Sequence, residues 1–121
     1  MKLTCTKEHL NYAVQSVQKA IATKTPMPIL TGIYLSAKNN HLEVQATDYE
    51  IGIICTIEAL VEEEGISVLS GKVFQEMVRH LPGENIHIES SSEDRTIKIT
   101  ANSAQFNLLC LPAEEFPVLK S

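Results

Sequence analysis

Glycine is scarce in this chain, five residues in 121, and none sits in a phosphate-cradling loop, so nucleotide binding of that kind is excluded. The three cysteines, Cys5, Cys55 and Cys110, are odd in number, far apart and set among apolar residues, which excludes a disulfide framework. They read as small reduced core side chains. His9, His41, His80 and His87 form no His-x-x-x-His pair, and no Cys-x-x-Cys accompanies them, so no metal or other cofactor is expected. No Gly-x-Ser-x-Gly or other nucleophile motif appears. Asp48 and Glu50 are a close carboxylate pair, but at turn spacing they suit local backbone donors better than acid-base work. The expectation is therefore a protein that is not an enzyme. Basic residues are also in deficit, 10 Lys and Arg against 15 Asp and Glu, giving a net charge of -5, which on its face argues against a nucleic-acid partner. Met1-Lys2-Leu3-Thr4 opens no signal-peptide-like apolar stretch, and no run approaches the roughly 20 apolar residues of a membrane span. A soluble, cytoplasmic protein is expected.

What the chain does contain is apolar periodicity, with 44% hydrophobic residues, enough for one domain with a substantial core. Leu3 and Cys5 alternate with polar neighbours. Thr6 can then cap a helix whose apolar positions are Leu10, Val14, Val17 and Ile21. Two prolines, Pro26 and Pro28, break the pattern. Three strand signals follow: Ile33, Leu35 and Ala37; Leu42, Val44 and Ala46; then Ile51, Ile53, Cys55 and Ile57 on one face. Asn39-Asn40 and Asp48-Tyr49-Glu50 mark the turns.

After Glu62-Glu63-Glu64-Gly65, read as a solvated acidic loop, the order begins again. Ile66 and Val68 lead to Ser70 as a cap, then to a helix carrying Phe74, Met77, Val78 and Leu81, ended by Pro82-Gly83. Ile86 with Ile88, Ile97 with Ile99 and Ala101, and Phe106 with Leu108 and Cys110 give three more strands. The polar stretch Ser90 to Asp94 and the pair Asn102-Ser103 separate them. The chain thus spells β-α-β-β-β twice, an α+β domain with a largely antiparallel sheet and both helices on one side of it.

The same division sorts the charge. Residues 7–24 carry Lys7, Lys19 and Lys24 against Glu8, and residues 72–80 carry Lys72 and Arg79 against Glu76. The helix stretches hold +3 of a total of -5, which leaves -8 for strands, turns and loops. A protein of low pI can therefore offer DNA one mildly basic face, with the amides Asn11, Gln15, Gln18 and Gln75 suited to contact that ignores sequence. On charge alone the plainer reading, solvated helix faces, is the one favoured.

Five short motifs, in order and at matching spacing, carry a family resemblance over essentially the whole chain. They are Met1-Lys2-Leu3-Thr4 with Lys7, His9 and Leu10; Pro28-Ile29-Leu30 with Gly32; Thr47-Asp48-Tyr49-Glu50; Gly65 through Leu81-Pro82; and Leu111-Pro112-Ala113-Glu114-Glu115-Phe116-Pro117. The chain resembles the N-terminal domain of bacterial DNA sliding clamps, the beta subunits of the replicative polymerase. The resemblance implies that residues 1–121 are the first of three similar domains, in a subunit that meets a second one head to tail as a ring. It further implies helices lining the hole, duplex DNA passing through unread, and the polymerase and clamp loader docking on the later domains. By the same resemblance Lys24, Lys72 and Arg79 are the DNA-facing cations, with Lys7 and Lys19 as secondary candidates. The ring contact falls on Val73, Glu76 and Met77 of the second helix and on Gln105, Phe106 and Leu108 of the last strand. Ser103 and Gln105 stand where some relatives have arginines, so ion pairs from that strand are not carried over. The competing reading is a freestanding domain of the same fold that acts in protein-protein interaction or caps a clamp.

Overall fold

The structure, a computed structural model, describes residues 1–91 and 95–120. Strand β1 (Lys2–Thr6) buries Leu3 and Cys5 and runs straight into helix α1 (Lys7–Val17). The Thr6 side chain accepts the His9 backbone N–H at 3.1 Å, satisfying a first-turn donor as an N-cap should. Leu10, Ala13, Val14 and Val17 face inward. The helix then tightens into a 3-10 turn at Gln18–Ala20, so Ile21 packs on the core from just beyond the helix rather than from within it.

Pro28–Thr31 forms a second 3-10 turn that leads into β2 (Gly32–Lys38) and β3 (His41–Thr47). Asn39 and Asn40, both left-handed (φ 52° and 56°), make the two-residue connection that a tight hairpin requires. In the next turn Asp48 Oδ1 accepts the Glu50 and Ile51 amides, each at 2.9 Å, the local role expected of that carboxylate. Strand β4 (Gly52–Glu58) starts after Ile51, so Ile51 lies in the turn and is exposed instead of sharing the inward face with Ile57.

The acidic segment is not a loop. Leu60–Glu63 is a strand, β5, antiparallel to β1, and only Glu64 turns the chain into β6 (Gly65–Ser70). Lys2 on β1 lies 3.6 Å from Glu62, which offsets one of the charges that disfavours extended pairing there. Ser70 caps helix α2 (Gly71–His80), which buries Phe74 and Val78 and stops before Pro82 and Gly83, the latter at φ 79°. Then come β7 (Asn85–Ser91), β8 (Thr96–Ala101) and β9 (Ala104–Leu109). Of the expected polar connection, Ser90 belongs to β7, while residues 92–94 lie outside the described residues. Cys110 follows β9 rather than continuing its alternation, its amide donating to the Arg95 carbonyl at 2.8 Å.

The expected sheet is two antiparallel sheets, ordered β5-β1-β7-β8-β9 and β4-β3-β2-β6. Each repeat lends its first strand to the other: β1 pairs with β7, and β6 with β2. The main core, with Phe74, Leu10, Leu35, Leu42, Ile88 and Ile99 among its largest members, fills the space between both sheets and both helices. The helices run antiparallel: Lys7 at the start of α1 donates to the Leu81 carbonyl beyond α2, and Gln75 donates to Gln18 across the layer.

Candidate nucleic-acid and subunit interfaces

Because the apolar face of each helix is buried, the remaining positions form a polar surface opposite the sheets. On α1 it displays Glu8, Tyr12 and Gln15, with Lys19 in the turn that follows; on α2 it displays Lys72, Val73, Glu76, Arg79 and His80. Lys72 and Arg79 are two turns apart, hence on one face. Gly71 abuts Ile21 and the Thr31 carbonyl so closely that a Cβ there would stand 2.8 Å from that oxygen. The start of α2, with Lys72, therefore lies at the same end of the layer as the loop holding exposed Lys24. Arg79 sits at the other end.

The cations are not equivalent. Arg79 lies 3.5 Å from Glu76 one turn earlier, an exposed pair worth little to stability but one that offsets its charge toward solvent. Lys7 is half-buried and tied to the Leu81 carbonyl, so it fastens the helix ends together and offers little to a ligand. Lys24, Lys72 and Lys19 are exposed. On the far side of the five-stranded sheet, Glu62, Lys2, Glu89 and Lys98 form a line of ion pairs at 3.5–3.6 Å, and the two carboxylates raise the Lys2 pKa. Among the described residues no three His, Cys, Asp or Glu side chains are grouped to hold a metal ion, and all four histidines are exposed.

The second surface is the seam between α2 and β9. By the internal repeat α2 and β9 correspond to α1 and β4, and α1 packs closely along β4. No comparable approach joins α2 to β9, so the core comes to the surface there. Met77, Phe106 and Leu108 are the half-buried side chains that reach it. Val73 and Glu76 are exposed beside them on the helix, whereas Gln105 points to the opposite face of the strand. Strand β9 is also a sheet edge, with β8 on one side only among the described residues. Sequence reasoning missed Leu109, which is 78% exposed and the most exposed large apolar side chain on this edge or elsewhere among the described residues. The available signal was an apolar residue out of phase with Phe106 and Leu108.

Two β-α-β-β-β halves with exchanged first strands, layered as helices on two sheets, place the chain in the class of DNA polymerase sliding clamp folds. It superposes over its whole length on the DNA polymerase sliding clamp of Bacillus subtilis with a TM-score of 0.94 at 33% identity, covering 34% of that chain. The beta clamp of Helicobacter pylori, solved with a DNA ligase peptide, gives 0.91 at 28% identity over 100% of this chain and 34% of its own. The family described as DNA polymerase III beta subunit, N-terminal domain, matches residues 1–120, and the chain belongs to that family. The beta sliding clamp of Streptomyces coelicolor is 32% identical over 119 residues, 98% of this chain and 31% of the relative. The chain thus spans about a third of the length of the curated relatives it matches. No helix among the described residues is long and apolar enough to cross a membrane.

Proposed function

We propose that residues 1–121 serve as the first of three domains in a ring-shaped sliding clamp that holds the replicative DNA polymerase on duplex DNA. The observation that carries this reading is the match of the whole chain to 34% of a solved sliding clamp at a TM-score of 0.94. The helix layer faces the duplex and touches phosphates without reading bases, through Lys24 and Lys72 with Arg79 as a weaker member. Lysine supplies a point charge rather than a bidentate grip, which suits a surface that must slide. The α2–β9 seam, with Val73, Glu76, Met77, Phe106 and Leu108, and with Gln105 on the other face of the same edge strand, receives a different domain of a second subunit, head to tail. Polymerase and clamp loader dock on the later domains. The protein works in the cytoplasm as a scaffold and catalyses no reaction.

The isolated chain is expected to bind duplex DNA weakly and without sequence preference. Two or three phosphate contacts give a log-log salt slope of roughly -2 to -3, at about -0.9 per contact. Fluorescence anisotropy with two unrelated duplexes across a salt series measures it. Tight binding to one duplex at physiological salt overturns the proposal. Lys24→Ala with Lys72→Ala is expected to flatten the slope, and an unchanged slope removes both residues from the surface.

A further inference from the structure

The face of the four-stranded sheet that points away from the helices is not open. The chain beyond β9 crosses it, touching every strand in turn. Leu111 bonds to β6, its amide donating to the Val68 carbonyl at 2.8 Å. Phe116 stacks on Tyr34 of β2 with ring centroids 5.1 Å apart. Residue 119 reaches β3 and β4. There the Gln45 side chain, fully buried, grips the main chain of Leu119 from both sides: its Oε1 accepts the Leu119 amide at 2.8 Å, and its Nε2 donates to the Leu119 carbonyl at 3.3 Å. A primary amide that accepts from an N–H and donates to the C=O of one residue reproduces the pairing of a neighbouring strand. Gly52 on β4 completes the seat, since a Cβ there would stand 2.7 Å from Leu119 Cδ1.

We propose that residues 111–120 are a strap that opens as a unit separate from the domain, and that Gln45 is its latch. The division follows from the packing. The strap buries a small apolar cluster of its own around Tyr34, Val68 and Phe116, distinct from the main core on the other side of the sheet. All nine strands pair without it. An element held by a few contacts outside the main core opens at lower free energy than the sheet beneath it. Its last hold is a side chain rather than a strand, so one substitution releases it. Resting on the reading above, the latch would fix the heading at which the main chain leaves this domain, at the β4 edge, toward a following one.

Amide hydrogen exchange by NMR on the 121-residue chain tests this without DNA. In Gln45→Leu the strap amides of Leu111 and Leu119 are expected to exchange at least tenfold faster, while the sheet amides of Leu35 and Val44 keep their rates within about twofold, since the lost hydrogen bonds, two to Leu119 and one to Glu43, lie outside the main core. Leu119 exchange within twofold of the unaltered chain overturns the proposal. So does acceleration of Leu119 and Val44 together, which would make the strap part of the global unit. Should Gln45→Leu fail to fold, Gln45→Met carries the same expectation and the same refutations, because it keeps the length of the side chain while losing both hydrogen bonds to Leu119.

Discussion

Leu108 and Leu109 are neighbours on β9 that point to opposite faces, so truncating each one separates the core's share of this edge from the solvent's. Leu108 is half-buried against the main core, whereas Leu109 is 78% exposed. Complete burial of a leucine side chain stabilises by about 1.5–3 kcal/mol. Half of that, with a small cavity term because the seam is open and can relax, gives about 1–2 kcal/mol for Leu108→Ala. Leu109→Ala should cost less than about 0.5 kcal/mol, in line with exposed positions generally. For a domain of this size, 1 kcal/mol moves Tm by about 4 °C, so the expected losses are about 4–8 °C and under about 2 °C. Thermal and urea unfolding followed by far-UV circular dichroism reads both. Equal losses, or a larger one at Leu109, would refute the assignment of faces on β9 and with it the description of the seam. For a longer protein that contains this domain, the difference dictates the probe. A charge at position 108 would weaken the domain as well as the proposed ring contact, so any ring opening is to be read against the stability of the altered domain alone.

Thr6→Ala removes the cap on α1 and is expected to cost about 1 kcal/mol in urea unfolding, while Thr6→Ser should restore most of it; no loss in the alanine variant would deny the cap an energetic role. Burial pushes the Cys5 thiol up to about 12, while an unfolded thiol ionises near 8.5, so ionisation favours the unfolded chain above that value. Stability should therefore be independent of this group at neutral pH and fall by about 1.4 kcal/mol per unit as pH rises from about 9 toward 12. Cys5→Ala should shallow that decline, and an identical pH profile in the variant would assign it elsewhere. Because the repeats exchange their first strands, peptides 1–64 and 65–121 are expected to lack cooperative unfolding alone and to regain it when mixed; a cooperative transition in either half by itself would contradict the exchange.

Element order was legible because helix and strand periods are local properties: a capped run with apolar residues every third or fourth position reads the same in any context. Thr6 and Ser70 both cap as their positions suggest, and Asn39-Asn40 makes the tight turn. Pairing is not local. Alternation puts Leu3 and Ile66 on strands but does not say which sheet each joins, so the exchange of β1 and β6 is invisible until the chain is folded. Three consecutive glutamates concealed β5, since nothing near them in sequence reveals that Lys2 stands across from Glu63 and pairs its charge with Glu62. Burial of Gln45 on a face that alternation marks as polar has the same kind of cause: Leu119, whose main chain it binds, lies some 70 residues further along. At the candidate surfaces the positions of Lys24 and Lys72 were legible and both are exposed. The tethering of Lys7 to Leu81 and the partial offset of Arg79 by Glu76 depend on distances that residue type alone does not supply.

The two ends of the domain are unlike, although the sequence repeats. At one end α1 lies close along β4 and the strap crosses to that strand; at the other α2 stands off β9 and leaves Met77, Phe106 and Leu108 half covered. A domain with identical ends would favour symmetric pairing, each end meeting its own copy. Unlike ends instead favour a heterologous contact, in which one copy's seam takes a different surface of the next unit, and such contacts either close into a ring or run on as a filament according to the angle between successive units. The exposed β9 edge would otherwise be a hazard, because an unpaired strand with Leu109 outward is a template for unwanted pairing. Its retention is best accounted for by a partner that covers it. One domain offers only one seam and lacks the separate surface that the seam is proposed to receive, so the 121-residue chain should remain monomeric or associate loosely in light scattering. A closed ring formed by this chain alone would refute the assignment of residues 1–121 as one third of a subunit.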